Sequence, residues 1–304
     1  MASRSRSVGD TFNGIFKSRR EVPRPRWVLL GIPYDGSSSF RPGARLAPPR
    51  IREMAASLNA CTEAGQDLAA IPAVDDGDLP LPTDREQAFA QIEAAVERIV
   101  AEEAVPILLG GDHAVTVPAV RAALRHYPDL SLLYLDAHPD LYPHFAGDRF
   151  SHACVVRRIL ELPGMGGQRI TQVGVRALTP PQRRAAEEAA IRIVPAWELA
   201  AFRYAETGPV YLSLDIDVLD PAYAPGCGNP VPGGPSTRQL LTLLQGLRCR
   251  VVALDVVEVN PLLDPAGVTA LTAARLVTEI LGTLVSPLGP WPGEAPDSSG
   301  GPSI

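Results

Sequence analysis

Residues 130–140 read LSLLYLDAHPD, an apolar run that ends in Asp136, His138 and Asp140. A continuous run of this kind is what a strand buried on both faces of a parallel sheet requires. The strand is placed at residues 130–136, and the same form recurs at 27–32, 105–110, 170–175, 191–194, 210–215 and 251–257. Helical patterns separate most of these runs, at 49–58, 85–102, 117–125, 154–160, 181–190, 237–247 and 269–281. The segment 85–102 shows the period best, with Phe89, Ile92, Ala95, Val96 and Ile99 on one face. Alternating strands and helices predict an α/β fold with a mainly parallel sheet covered by helices on both sides. No internal repeat and no glycine-rich nucleotide loop interrupts this order.

The length of 304 residues fits one large α/β domain or two small ones, and 46% hydrophobic residues suffice for a proper core. The formal net charge is −6, yet residues 1–27 carry seven basic and two acidic side chains, so the remainder is at −11. An acidic body does not suit a nucleic-acid binder, whose surface must meet phosphate. It suits a small cationic ligand, drawn in by long-range attraction. No run of 18 apolar residues is present, so no membrane span is expected. Cys61, Cys154, Cys227 and Cys249 are scattered without a CxxC pair, which predicts reduced thiols in a cytoplasmic protein. Residues 1–26 are rich in Ser and Arg and read as a flexible basic arm, and 27–284 as a single catalytic domain. Residues 285–304, rich in Pro, Gly and Ser, read as a disordered tail.

Ligands of such folds bind beyond the carboxyl ends of the strands. Strand 105–110 is followed by Asp112 and His113, and strand 130–136 by His138 and Asp140. Strand 210–215 leads into Asp217 and Asp220, and strand 251–257 into Glu258. In extended chain, residues i and i+2 face one side, so Asp136, His138 and Asp140 can share a locus, as can Asp215 and Asp217. Four aspartates in contact repel by roughly 1–4 kcal/mol per pair in a partly wet site. Protonation relieves that, and two divalent cations relieve it more completely. Taken singly, Gly-Gly-Asp-His is as readily an ordinary loop, and Asp220-Pro221 a turn starter. Together, at successive strand ends, they predict a metal site. Carboxylate-rich sites with one imidazole per ion suit manganese(II), with nickel, cobalt and zinc as alternatives.

The segments GGDH at 110–113, DAHPD at 136–140, SLDIDVLDPAYAPGCGNPVPGG at 213–234 and DVVEVNP at 255–261 resemble the ureohydrolase (arginase/agmatinase) family. So does GIPYDGSSSFRPGARLAPPRIRE at 31–53, and the likeness runs from about 27 to 284. Agmatinase-like members resemble it most. The resemblance implies a three-layer αβα fold and two Mn(2+) ions per chain. His113, Asp136, Asp140 and Asp215 would hold one ion, and Asp136, His138, Asp215 and Asp217 the other. It also implies hydrolysis of a guanidino compound to urea and an amine, most simply agmatine to putrescine. Guanidinobutyrate, guanidine or another guanidino acid are the alternatives, with a catalytically silent relative as the contrasting reading. Catalytic roles fall to Asp140 for the attacking water, Glu258 for the guanidinium and His152 for proton transfer. A homo-oligomer, trimeric or hexameric, is implied as well.

Substrate choice turns on what meets the far end of the molecule. Asn229 stands where many relatives carry threonine beside the substrate. Arginases resemble one another in a Ser-Gly-Asn-x-His-Gly loop and an Asp-Val-Asp segment that satisfy arginine's charged head. Here residues 141–152 read LYPHFAGDRFSH and 175–180 read VRALTP. Neither carries that set, so arginine is expected to be a poor substrate. Within the loop Asp148 would favour a terminal amine and Arg149 a carboxylate. His126 and His144 are expected on the surface, and Cys227 as a passive small residue.

Overall fold

The computed structural model describes residues 11–285. Eight strands run in chain order as β1 (Trp27–Gly31), β2 (Ala73–Asp78), β3 (Val105–Leu109), β4 (Ser131–Leu135), β5 (Ile170–Val175), β6 (Arg192–Pro195), β7 (Ala205–Asp215) and β8 (Arg248–Val257). They form one sheet in the order β2-β1-β3-β8-β7-β4-β5-β6, and every pairing is parallel. Seven helices cover it: α1 (Ala47–Ala55), α2 (Arg85–Ala101), α3 (Thr116–His126), α4 (Val155–Leu160), α5 (Pro180–Glu188), α6 (Thr237–Gln245) and α7 (Val268–Val285).

Two apolar clusters fill the spaces on either side of the sheet. One joins Ile51 of α1, Leu240 of α6 and Leu276 of α7 to Leu29, Leu133 and Leu212. The other joins Ile92 of α2, Val120 of α3, Val156 of α4 and Ala186 of α5 to Val28, Leu132 and Tyr211. The alternation along each strand sends neighbours to opposite clusters, which is why both faces read as apolar. The result is the expected three-layer αβα arrangement. Local signals set the helix ends: Asp84 accepts the Gln87 N–H at the start of α2, and Ser236 and Gln239 form a reciprocal capping box on α6. Helix α7 is long and apolar enough to cross a membrane by length and composition, which the sequence reading did not anticipate. Eleven of its 18 residues are buried, and it serves here as a core helix.

Two features depart from the sequence reading. Strand β2 went unrecognised because its sequence, AVDDGD, is polar. It is an edge strand whose acids are neutralised from outside the sheet: Arg52 binds Asp75 and Asp78, and Arg19 and Arg98 bind Asp76. The expected flexible arm is packed over residues 11–26. Phe12, Ile15 and Phe16 are buried in the first cluster, and Lys17 N–H bonds Ala73 O. Three large apolar side chains supply the anchorage, roughly 1.5–3 kcal/mol each when fully buried, which the Arg and Ser content had masked. Residues 1–10 and the tail expected from 286 onward lie outside the described residues.

Candidate active site and metal centre

The strands β3, β8, β7 and β4 are adjacent at the centre of the sheet, and their carboxyl ends supply every expected metal ligand. His113 follows β3, Asp136, His138 and Asp140 follow β4, and Asp215 ends β7 with Asp217 just beyond. Glu258 follows β8. The second glycine of Gly110-Gly111 permits this convergence: a Cβ on Gly111 would lie 1.7 Å from Tyr34 O. The backbones around Tyr34, Gly111 and Glu258 meet there, with Asp112 N–H on Tyr34 O and Glu258 N–H on Gly111 O.

The paired ligands come together by turns and not by the extended chain expected. Asp136 Oδ1 accepts the His138 N–H at 2.5 Å, and Asp215 Oδ1 accepts the Asp217 N–H at 2.7 Å. Short carboxylates bonding the amide two residues on fold each segment back on itself. Residues 216–218 form a 3₁₀ turn, and Asp140 and Glu258 both adopt left-handed backbone conformations, φ 47° and 65°. Such φ values in residues other than glycine store strain, and they gather at functional sites.

Two groups of donors result, His113 with Asp136 and Asp140, and Asp136 with His138 and Asp217, each with ligand atoms within 4.8 Å of one another. Asp136 belongs to both. Asp215 Oδ2 lies 3.1 Å from His113 Nδ1, and His138 Nδ1 lies 2.9 Å from Asp217 Oδ2. The donor set fits two cations. Asp136 Oδ2 is buried without a hydrogen-bond partner, 3.1 Å from His113 Nδ1, so two lone pairs converge on one place. The tautomer of His113 is set from behind. Ser213 Oγ donates to Asp255 Oδ1 at 2.7 Å and therefore accepts from His113 Nε2 at 2.8 Å, which leaves Nδ1 bare. Asp255 also accepts from Thr116 Oγ1 and Tyr211 OH, and Tyr134 OH donates to Asp140 Oδ2 at 2.6 Å.

The electrostatics follow from crowding. Burial and the Asp136 charge push the Asp140 carboxyl up to about 7. Burial and Asp217 hold Asp215 well above the usual carboxylate range. Burial opposes charge on His138, but Asp217 and Asp136 outweigh it and raise the imidazole to about 12. The metal-free centre therefore retains protons at neutral pH, and cations must displace them. Affinity for a divalent ion is expected to rise with pH through about 7 and to fall by about tenfold per unit below it for each proton displaced. Calorimetric titration with manganese at pH 6 and pH 8 checks this; equal affinities, or tighter binding at pH 6, would contradict the proton-laden centre.

The chemistry opens onto a cavity of about 280 Å³ lined by the six metal-ligand candidates with Glu258, His152, Asn229 and Ser39. Glu258 Oε1 accepts the His113 N–H at 2.9 Å and pairs with His152 Nδ1 at 2.8 Å. No hydrogen bond from a described residue reaches its Oε2. Despite burial, His152 holds Glu258 below the usual range. Burial likewise opposes charge on His152, and the Glu258 carboxylate raises it on balance to about 9.

A profile of the Arginase family matches residues 25–282. The chain belongs to the arginase family. Members are hydrolases acting on guanidino C–N bonds and depend on a binuclear metal centre. The mitochondrial arginase 1 of Arabidopsis thaliana is 38% identical over 275 residues, covering 83% of this chain and 79% of the relative. The agmatinase of Bacillus subtilis is 34% identical over 272 residues, covering 85% and 93%. Among solved structures, the proclavaminate amidinohydrolase of Streptomyces clavuligerus superposes with a TM-score of 0.81 at 31% identity, covering 93% of this chain and 99% of that one.

The specificity loop of this arginase-family chain differs from expectation. Asp148 and Arg149 do not line the cavity. Both oxygens of Asp148 are taken by the Arg85 guanidinium, and Arg149 pairs outward with Glu161. A tight turn at Ala146-Gly147, with Phe145 and Asp148 bridged across it, faces Asp148 toward α2. The same loop instead brings Tyr142 and Phe145 to the cavity, opposite Thr179 and Gln182. Asn229 is at the cavity, with its Oδ1 unpartnered. His126 and His144 are exposed as expected, and Cys227 is a buried thiol. Sequence reasoning missed Ser39, Tyr134 and Asp255. The visible signal for Asp255 was an acid inside the apolar run VVALDVV; Ser39, one of three successive serines, gave none.

Proposed function

We propose that the protein hydrolyses a small cationic guanidino compound without a carboxylate, agmatine, to urea and putrescine. The observation that carries this reading is the charge of the cavity wall. Asp136, Asp140, Asp215, Asp217 and Glu258 line it, and among the described residues no arginine or lysine does. Arg176, which reaches Asp217 O, spends its guanidinium on backbone carbonyls of residues 174, 217–219 and 231. A substrate carboxylate would enter an acidic site with no cation to meet it. The oxygen-rich donor set favours two manganese(II) ions, and four unpaired cysteines support a reducing, cytoplasmic setting.

His113, Asp136, Asp140 and Asp215 would hold one ion and Asp136, His138, Asp215 and Asp217 the second; when bound, such ions lower the pKa of water from 15.7 to about 7. The remaining work belongs to the chain. Glu258 Oε2 accepts guanidinium N–H bonds, a charge-assisted contact that aims the central carbon at the metal-ligand wall. Asp140, held through Oδ2 by Tyr134, keeps Oδ1 for a proton of the attacking water. His152, charged below about 9, holds the proton that the departing amine needs.

Leaving a substrate carboxylate unpaired costs roughly 1–3 kcal/mol, about tenfold or more in kcat/KM. Urea release from manganese-loaded protein is accordingly expected to favour agmatine over both arginine and guanidinobutyrate by at least about tenfold. A kcat/KM for either acid equal to or above that for agmatine would overturn the substrate reading.

A further inference from the structure

His152 has both ring nitrogens engaged. Nδ1 faces Glu258 Oε1 at 2.8 Å, while Nε2 accepts the Ser39 backbone N–H at 3.1 Å and lies 2.7 Å from Ser39 Oγ. The ring is 7% exposed, and the His152 N–H is tied to Ser37 O, so neither nitrogen is free to meet a substrate directly. The Ser39 amide can donate a hydrogen bond and nothing more. The Ser39 hydroxyl can both donate and accept, so it suits the neutral and the charged imidazole alike. Ser39 also lines the cavity beside Glu258 and the metal-ligand residues.

The loop that carries this serine is braced. Asp112, fully buried, accepts the Ser37 N–H at 2.8 Å through Oδ2 and the Ala114 N–H at 3.1 Å through Oδ1. Asp35 Oδ2 accepts the Gly43 N–H at 2.8 Å at the loop's far end. The Ser39 hydroxyl is thereby held against Nε2.

We propose that Ser39 is a further catalytic residue, whose hydroxyl carries the proton from His152 Nε2 into the cavity. The proposal rests on the amidinohydrolase reading above. As the C–N bond of the intermediate breaks, its electron pair stays on the amine nitrogen. That pair takes the Ser39 Oγ proton while Oγ takes the proton from Nε2. The serine is returned unchanged, the imidazolium becomes neutral imidazole, and one proton has moved to the amine. The charged groups that face His152 during this transfer are Glu258, Asp112 and Asp140.

The test compares wild type, Ser39→Ala and Ser39→Thr, and Ser39→Ala in a His152→Asn background, by urea release from agmatine with metal content measured alongside. Ser39→Ala is expected to lower kcat about 10²-fold with KM within about twofold and two ions per chain retained. Ser39→Thr, which keeps a hydroxyl, should recover most of the loss. In the His152→Asn background the alanine should add less than about threefold, since two groups on one proton path are not additive. Wild-type kcat in Ser39→Ala, or an equal further loss without His152, would overturn the relay. Absence of urea from the wild type on every guanidino compound would instead overturn the function it rests on.

Discussion

Replacing Asp136 by alanine is expected to leave a folded protein that binds neither metal ion firmly and releases urea at least about 10³-fold more slowly, since a metal ion contributes several kcal/mol of charge stabilisation and each 1.36 kcal/mol is tenfold. The expectation rests on the placement of this one carboxylate. Asp136 belongs to both donor groups, through Oδ2 beside His113 and through Oδ1 toward His138. It is buried, and its Oδ2 has no other partner. Removing it leaves His113 and His138 without their shared neighbour, while the sheet register from Ser131 to Leu135 is untouched. Elemental analysis, circular dichroism and urea release, measured together, check the result. Two ions per chain with activity within about tenfold of wild type would refute the shared-ligand arrangement.

Glu258→Gln is expected to separate substrate binding from metal binding. The change keeps the side chain's size but removes its charge, both from Oε2, which faces the substrate, and from Oε1, which pairs with His152. A hydrogen bond to a charged group is worth roughly 1.5–3 kcal/mol, so loss of the guanidinium contacts lowers kcat/KM by about 10² to 10³-fold. The histidine is affected too. Without the Glu258 carboxylate, burial is left as the dominant influence on His152, and its pKa falls from about 9. The protonated form is then lost at lower pH, so the alkaline limb of the kcat profile should move toward acid. Metal content should remain at two ions per chain, because Glu258 is in neither donor group. Loss of metal in this variant, or an unchanged alkaline limb, would show that Glu258 acts differently.

Much of this site was legible because its residues follow strands in the chain. The runs before His113, Asp136, Asp215 and Glu258 are apolar, and an apolar run that stops at an acid marks a strand end in a parallel sheet. The edge strand β2 lacked that signature, because its acids are matched by arginines from the N-terminal segment, α1 and α2. The packing of residues 11–26 was hidden for a related reason, since three apolar residues among many polar ones bury fully only when a groove exists to receive them.

Side-chain chemistry and its position after each strand depend on local order, so the sequence by itself determined the metal-ligand set, Glu258, His152 and the αβα class. The tertiary structure alone decided which strands are neighbours. β8 and β7 lie between β3 and β4, and this sets His113 opposite Asp215 across about a hundred residues of chain. It alone decided that Asp148 turns away, because Arg85, 63 residues earlier, claims both its oxygens. It alone brought Ser39 to His152, 113 residues on. Periodicity reports which face of an element is buried and says nothing of which distant side chain fills the remaining hydrogen-bond valence. Contacts of that kind are selected by packing the whole chain, and in this protein they separate the residues that hold metal from those that choose the substrate and move its proton.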